Sequence, residues 1–437
     1  MNFLRISKEA LSIALAYVGV LVGAGLSSGQ DMLQYFLSFG KIGIFGVVLL
    51  GVLNIIFGRI IVTLGSHYQS SNHQDVLEQI THPVINRIID ITLVISCFVV
   101  GFVMVAGAGA NLHQQFGIAS WLGALVCSLA VILVSFMDFE KITRILGIFT
   151  PVIVVMILSL AVYTFWGKSY DYEYLDMVAG SMEPTMPNVW LSVINYFALC
   201  AMNGGSMAFV LGGSVIRIGD AEKGGALGGT IIGLIVTCAA ATLFSNLDKV
   251  KDAEIPMLLI VNNIHPGFAM VYALVIFALI FNTAFSLYYA TARRFSGNDT
   301  QKMRYLLIGI VLVGYACSFG GFTKLVSYMY PLLGYMGILL LVVLTVAWIQ
   351  ERENIIREKF LRRKMIRLLF RKYDDDYEFT AKNKQTFQKL GEMSAADTEE
   401  LKKDIKAYVE DVVEKTDDLQ TYAEKNLSMK GSPLKKE

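Results

Sequence analysis

The chain has 437 residues, 55% of them hydrophobic, and a formal net charge of +1. Of its 73 charged residues, 39 lie in residues 351–437 (20 Lys/Arg and 19 Asp/Glu), so a long apolar block carries a short, highly charged tail. A soluble globular chain is about 45–50% apolar; this distribution excludes a soluble enzyme, a disordered protein and a secreted disulfide scaffold, and it offers no basic domain for nucleic acid.

A bilayer core of about 30 Å needs roughly 20 apolar residues per helix. By that measure ten spans follow in chain order, near 8–37, 41–64, 84–111, 118–136, 142–166, 188–217, 224–245, 267–292, 303–320 and 325–349. The basic, apolar N-terminus lacks a small-residue cleavage site and runs on into a longer helix, so it is expected to be a retained first span. With the N-terminus inside, ten Lys/Arg from Arg5 to Arg304 fall in inner segments, against Lys41, Lys168, Lys249, Lys251 and Lys324 outside. That asymmetry follows the positive-inside rule, and the four tryptophans sit at span ends, where indoles favour the interface. Both termini are expected in the cytoplasm of a cell-membrane protein, with a transmembrane domain over 1–350 and a cytoplasmic tail over 351–437.

Span 1 is interrupted by Gly19, Gly23, Gly25, Ser27, Ser28, Gly29, Gln30 and Asp31, and span 6 by Asn203, Gly204, Gly205 and Ser206. Glycine weakens a helix, and small polar residues re-satisfy freed backbone groups where a cavity is lined. Close packing through small residues is the other reading of glycine-rich spans, and it suits Gly224, Gly225, Gly228, Gly229 and Gly233 of span 7 better. Spans 1–5 and 6–10 each open on such an interrupted helix, and an odd number of spans per set forces opposite orientations. The expected architecture is therefore an all-α, 5+5 inverted-repeat membrane protein with discontinuous helices 1 and 6, binding solute and ion where the two breaks meet.

Ionisable residues inside spans are few and costly. Asp31 lies just beyond the first break, where it would gate or couple, or simply sit in a watery vestibule. Arg59 and Asp90 lie at similar depth in neighbouring spans and are expected to form an ion pair on the inner side. The five cysteines fall in apolar segments and read as packing residues. The histidines form no HExxH pair, and there is no Walker loop; neither a metal centre nor an ATP-driven pump is expected. In the tail, residues 352–372 carry nine Lys/Arg interleaved with apolar residues, the pattern of an amphipathic helix on the inner leaflet or of a solvated extension of span 10. Leu401, Ile405, Tyr408, Val412, Leu419 and Tyr422 follow a heptad-like spacing. That spacing fits tail-mediated self-association through a coiled coil, or a helix docked on the membrane domain.

The stretch Tyr17-Val18-Gly19-Val20-Leu21-Val22-Gly23-Ala24-Gly25-Leu26-Ser27-Ser28-Gly29-Gln30-Asp31 resembles the first helix of the YkvI-like family of bacterial membrane transporters. The likeness in hydropathy extends over residues 1–350, and the sharp motif is confined to span 1. Where the family carries a glutamate after the glutamine, this chain has Asp31, one methylene shorter. The resemblance implies the LeuT-like fold of the amino-acid/polyamine/organocation superfamily, and hence a secondary transporter of a small organic solute such as an amino acid, driven by sodium or protons. It implies that amides near Gly23, Ala24 and Gly25 face an anionic group of the solute, aided by Ser27 and Ser28. Asn203, Gly204, Gly205 and Ser206 would form the opposite wall. It also implies a sodium ion between the carbonyls near Gly19 and Val22 and the hydroxyls of Thr283 and Ser286, unless those hydroxyls only bond back to their own helix. The core of span 5, Ile148–Thr164, has no lysine to replace that ion, which favours sodium. A non-transporting sensor or scaffold signalling through the tail is the alternative, and a membrane-embedded enzyme is disfavoured by the missing catalytic constellation.

Overall fold

In the computed structural model the described residues are 7–22, 24–69, 73–137, 139–297, 299–373, 379–415, 422, 427, 429 and 432. They are helical almost throughout. Seven helices are long and apolar enough to cross a membrane: Lys41–Tyr68, Pro83–Phe116, Ile145–Phe165, Val189–Gly213, Ile218–Phe244, Pro266–Ser296 and Phe322–Gln350. They occupy predicted spans 2, 3, 5, 6, 7, 8 and 10. Span 4 is the shorter apolar helix Ser120–Val134, and span 9 is Thr300–Ser318.

Predicted span 1 is broken into Lys8–Leu21, Ala24–Ser28 and Gln30–Tyr35. Predicted span 6 is not broken; Val189–Gly213 is one continuous helix. The Asn203 amide donates to Leu199 O four residues back (3.0 Å), so its polarity is met without opening the helix. Gly204 serves close approach: a methyl group added there would overlap Leu21 of span 1. The small residues of span 6 are contact surface rather than a break.

Three pairs of spans, each five apart in order, pack antiparallel. Leu21 lies on Gly204, Asp31 meets Tyr196, and Tyr35 meets Asn195, which fixes spans 1 and 6. Gly51 lies against Gly233, Gly58 against Gly225, and Arg59 against Glu222, which fixes spans 2 and 7. Asp90 meets Arg294, Gly101 meets Tyr288, and the Asn111 amide donates to Ala273 O (2.9 Å), which fixes spans 3 and 8. Spans 3 and 8 also begin alike. In each a histidine caps a helix whose first residue is proline: His82 Nδ1 accepts from Val84 N (3.3 Å) and His265 Nδ1 from Gly267 N (3.1 Å). Proline suits that first position because its missing N–H would have no partner there.

The acidic 167–187 loop folds into the short helix Tyr172–Gly180. Its Asp176 carboxylate accepts from Lys41 N (2.7 Å), capping the start of span 2.

The tail does not offer its apolar face to lipid. Leu361, Met365, Ile366 and Leu369 of the helix Arg352–Phe370 form a separate small core with Phe387, Leu390, Leu401, Ile405, Val409 and Val412. The helix Thr398–Lys415 buries Leu401, Ile405, Val409 and Val412, so the heptad-like face is filled within the same chain rather than left for self-association. Leu419 lies outside the described residues.

Arg362, 1% exposed, joins this tail core to the ends of two spans. Its guanidinium donates to Ser66 O (2.8 Å) and His67 O (2.7 Å) at the end of span 2, and to Ile216 O (3.3 Å) after span 6. It also pairs with Glu358 (2.7 Å), which in turn accepts from Ser394 Oγ (2.6 Å). Burial lowers the Arg362 guanidinium from its ordinary value, and Glu358 opposes that shift. Beside it, Lys359 pairs with Glu222 of span 7 (2.8 Å). The hydroxyls of Tyr408 and Tyr422 reach Glu9 at the start of span 1, which pairs with Arg217 (2.7 Å). The tail thus grips the near ends of spans 1, 2, 6 and 7.

Candidate functional site

The site grows from the interruption of span 1. The first helix ends at Leu21, with Val22 in extended conformation (φ −80°, ψ 93°). Gly23 lies outside the described residues, and the chain resumes helix at Ala24. A second turn follows at Gly29, whose φ of +78° places it in the left-handed region; a side chain there would be strained and would crowd Met257 and Leu243. The Ser28 hydroxyl donates to Gly25 O (2.9 Å) and accepts from Gln30 N (3.2 Å), holding the two short helices together. Tyr272 of span 8 donates to Ser27 O (3.0 Å). Small polar residues therefore re-satisfy the broken backbone.

The wall opposite is span 6. Tyr196 donates to Asp31 Oδ2 (3.1 Å), Tyr35 donates to Asn195 Oδ1 (3.2 Å), and the Asn195 amide donates to Pro331 O of span 10 (2.9 Å). About two turns further along span 6, Ser96 of span 3 donates to Asn203 Oδ1 (3.0 Å). Ser96, completely buried, is the polar partner that sequence reading passed over, since a lone serine in an apolar span carries no pattern. Gly205 is buried, and a methyl group added there would meet nothing within 4 Å. At Gly25 a methyl group would overlap the Asp31 carboxyl folded back onto it, so any side chain there displaces that carboxyl.

The remaining predicted positions divide. Thr283 donates to Leu279 O in its own helix (2.9 Å), the back-bonding alternative to ion ligation. Gly19 is exposed, Val22 is buried, and Ser286 is half-buried. Arg59 and Asp90 do not pair with each other. Arg59 pairs with Glu222 and lies over the Trp348 ring, while Asp90 pairs with Arg294 and accepts from Gln74 (3.0 Å). Depth along two spans does not fix the direction in which a side chain leaves its helix, and Arg59 turns towards span 7. A cycle of Arg59→Ala and Glu222→Ala should show a coupling of about 0.2–1 kcal/mol, typical of a partly exposed pair. Arg59→Ala with Asp90→Ala should be additive in the same thermal-unfolding measurement.

Asp90 and Arg294 also line a cavity of about 710 Å³ with Gln74, Glu78, Asn86, Arg87 and Ile91. It lies six residues before Ser96 on span 3, or about 9 Å along the helix.

A broken first helix packed antiparallel on a continuous sixth, with apolar helices around both, defines a multi-pass, all-α membrane protein. No family model matches the chain. Among solved structures, it superposes on MhsT in complex with L-phenylalanine with a TM-score of 0.56 at 17% identity, covering 92% of this chain and 98% of that one. It superposes on the inward-facing conformation of Mhp1 with a TM-score of 0.55 at 13% identity, covering 98% and 96%. The fold is the LeuT-like one. In sequence, the chain is 24% identical over 331 residues to the membrane protein YkvI of Bacillus subtilis (strain 168), covering 76% of this chain and 93% of YkvI. It is 25% identical to YyaD of the same organism, also over 331 residues, covering 94% of that protein. The chain is a homologue of YkvI and YyaD.

Proposed function

We propose that the protein is a secondary transporter of a small organic solute of the amino-acid class, driven by an ion gradient. The observation that carries this reading is the break in span 1, which packs on span 6 with Leu21 against Gly204 and Asp31 against Tyr196. There, amides at the start of Ala24–Ser28 would meet an anionic group, and Asn203 and Ser96 would meet a second polar group of the solute. The solved MhsT, which shares the fold, holds L-phenylalanine. The reading also includes ten spans in two inverted sets of five. The antiparallel packing of spans 1 with 6, 2 with 7 and 3 with 8 supports it, as do the paired His-Pro starts of spans 3 and 8. Binding is tested by thermal unfolding of the purified protein against each of the twenty amino acids in turn, in sodium and in choline salts. A ligand that binds only the folded state raises the melting temperature, and at about 100 times its Kd adds about 2.7 kcal/mol. No shift with any of the twenty would turn attention to another solute class or to the sensor reading, which the docked tail favours.

The orientation proposed places both termini in the cytoplasm of a cell-membrane protein. On a cysteine-free background, Glu173→Cys should react with an impermeant maleimide in intact cells, and Lys415→Cys should react only after permeabilisation. The reverse pattern would invert the topology.

A further inference from the structure

Asp31 lies on the short helix Gln30–Tyr35 and is 3% exposed. Its Oδ2 accepts from the Tyr196 hydroxyl, and its Oδ1 has no hydrogen-bond partner among the described residues. Tyr196 of span 6 touches it, and the other ionisable groups close enough to interact with it are Tyr35 on its own helix, Cys200 of span 6 and Tyr330 of span 10. Leu243 of span 7 and Met257 of the helix Pro256–Ile264 close the neighbouring turn at Gly29, and neither is ionisable. No Lys, Arg or His side chain among the described residues faces the carboxylate. An isolated ionised carboxylate in such surroundings is far costlier than a neutral acid, so something carrying one positive charge must occupy it.

The chemistry of the neighbours selects the occupant. A metal cation demands several oxygen ligands at once. Among the described residues no group of three or more His, Cys, Asp or Glu side chains gathers to hold a metal, and Asp31 is the one carboxyl here. A proton needs one oxygen, and Oδ1 is that oxygen. We infer that Asp31 is a proton-binding site whose carboxyl is protonated in this conformation. A hydronium ion gives up a proton: its O–H bond breaks, the O–H bond on Oδ1 forms, and water is left. When it leaves, the electron pair stays on the carboxylate and Tyr196 remains as hydrogen-bond donor. Resting on the transporter reading, this proton is the ion exchanged during solute movement, because the carboxyl lies directly against Gly25 in the break.

The site is tested first without any solute, by infrared titration of the full-length protein in nanodiscs from about pH 5 to about pH 9, bracketing the range over which buried acids titrate. The wild type should show a protonated-carboxyl band that disappears as pH rises, and Asp31→Asn should lack it. Tyr196→Phe removes the side-chain donor that favours the charged form. It should move the midpoint upward by about one pH unit, the size one charge-assisted hydrogen bond allows. Tyr196→Phe keeps the test decisive should Asp31→Asn fail to fold. A band unchanged by both variants, or no titrating band, overturns the site.

The coupling is tested in proteoliposomes containing a pH-sensitive dye, with an equimolar mixture of the twenty amino acids added outside. Internal acidification by the wild type and none by Asp31→Asn supports it. Uptake that depends on sodium, with no acidification, overturns proton coupling and leaves the transporter reading standing. Absence of any uptake counts against the transporter reading alone, since the infrared titration still decides whether Asp31 binds a proton.

Discussion

Gly25→Val is expected to abolish solute binding while leaving the protein expressed and folded. Any side chain at this position displaces the Asp31 carboxyl folded back onto it. A valine there must push the carboxylate off the Tyr196 hydroxyl or push the short helix Ala24–Ser28 away from it. Either movement displaces the amides that open this helix, and a displacement of about 1 Å in a positioned site commonly costs two orders of magnitude. The check is the thermal shift given by whichever amino acid stabilises the wild type. The variant should lose that shift while retaining a cooperative unfolding transition near the wild-type temperature. A normal shift in Gly25→Val would place the solute elsewhere. Ser96→Ala makes a milder companion, since it removes one donor to Asn203 and leaves the break intact; about 1 kcal/mol of binding, or roughly fivefold, should be lost.

Arg362→Ala should release the tail. The wild-type guanidinium satisfies carbonyls at Ser66, His67 and Ile216 and neutralises the buried Glu358. Removing one partner of a buried ion pair costs about 3–5 kcal/mol because the other charge stays buried and unpaired. That energy corresponds to a weakening of docking by roughly a hundredfold to several thousandfold. Hydrogen exchange should therefore quicken by that order across Thr398–Lys415 and hardly at all in the core of span 7. Glu358→Ala combined with Arg362→Ala should be less damaging than Arg362→Ala alone. Unchanged protection of Thr398–Lys415 in Arg362→Ala would mean that the apolar tail core holds the tail without the arginine.

The sequence made the apolar spans, the charged tail and the break in span 1 legible, because each rests on a local signal: length of apolar run, charge density, and glycines joined to hydroxyls. Span 6 was misread because the same residue types serve two ends. Asn203 can open a helix, or bond four residues back and leave it intact, and only the position of Ser96 and Leu21 across the interface distinguishes the two. The Arg59–Asp90 pairing failed for a related reason, since depth is readable from span boundaries and azimuth is not. The tail shows a third case. A heptad-like stripe reports that one face will be buried, without reporting against what; here the stripe closes on Leu361, Met365 and Ile366 of the same chain. One signal was present and unused: the His-Pro pairs at 82–83 and 265–266, which start spans 3 and 8 in the same way and mark corresponding points in the two halves.

The central claim is that the break in span 1 carries solute across the membrane. Its most direct test is uptake of radiolabelled amino acids into proteoliposomes holding the purified full-length protein, with a sodium gradient, a pH gradient or neither imposed. The proposed function predicts accumulation above equilibrium with at least one gradient, none without a gradient, and none with Gly25→Val under either. Equal radioactivity in wild-type, Gly25→Val and protein-free vesicles, under both gradients and for all twenty amino acids, would contradict it.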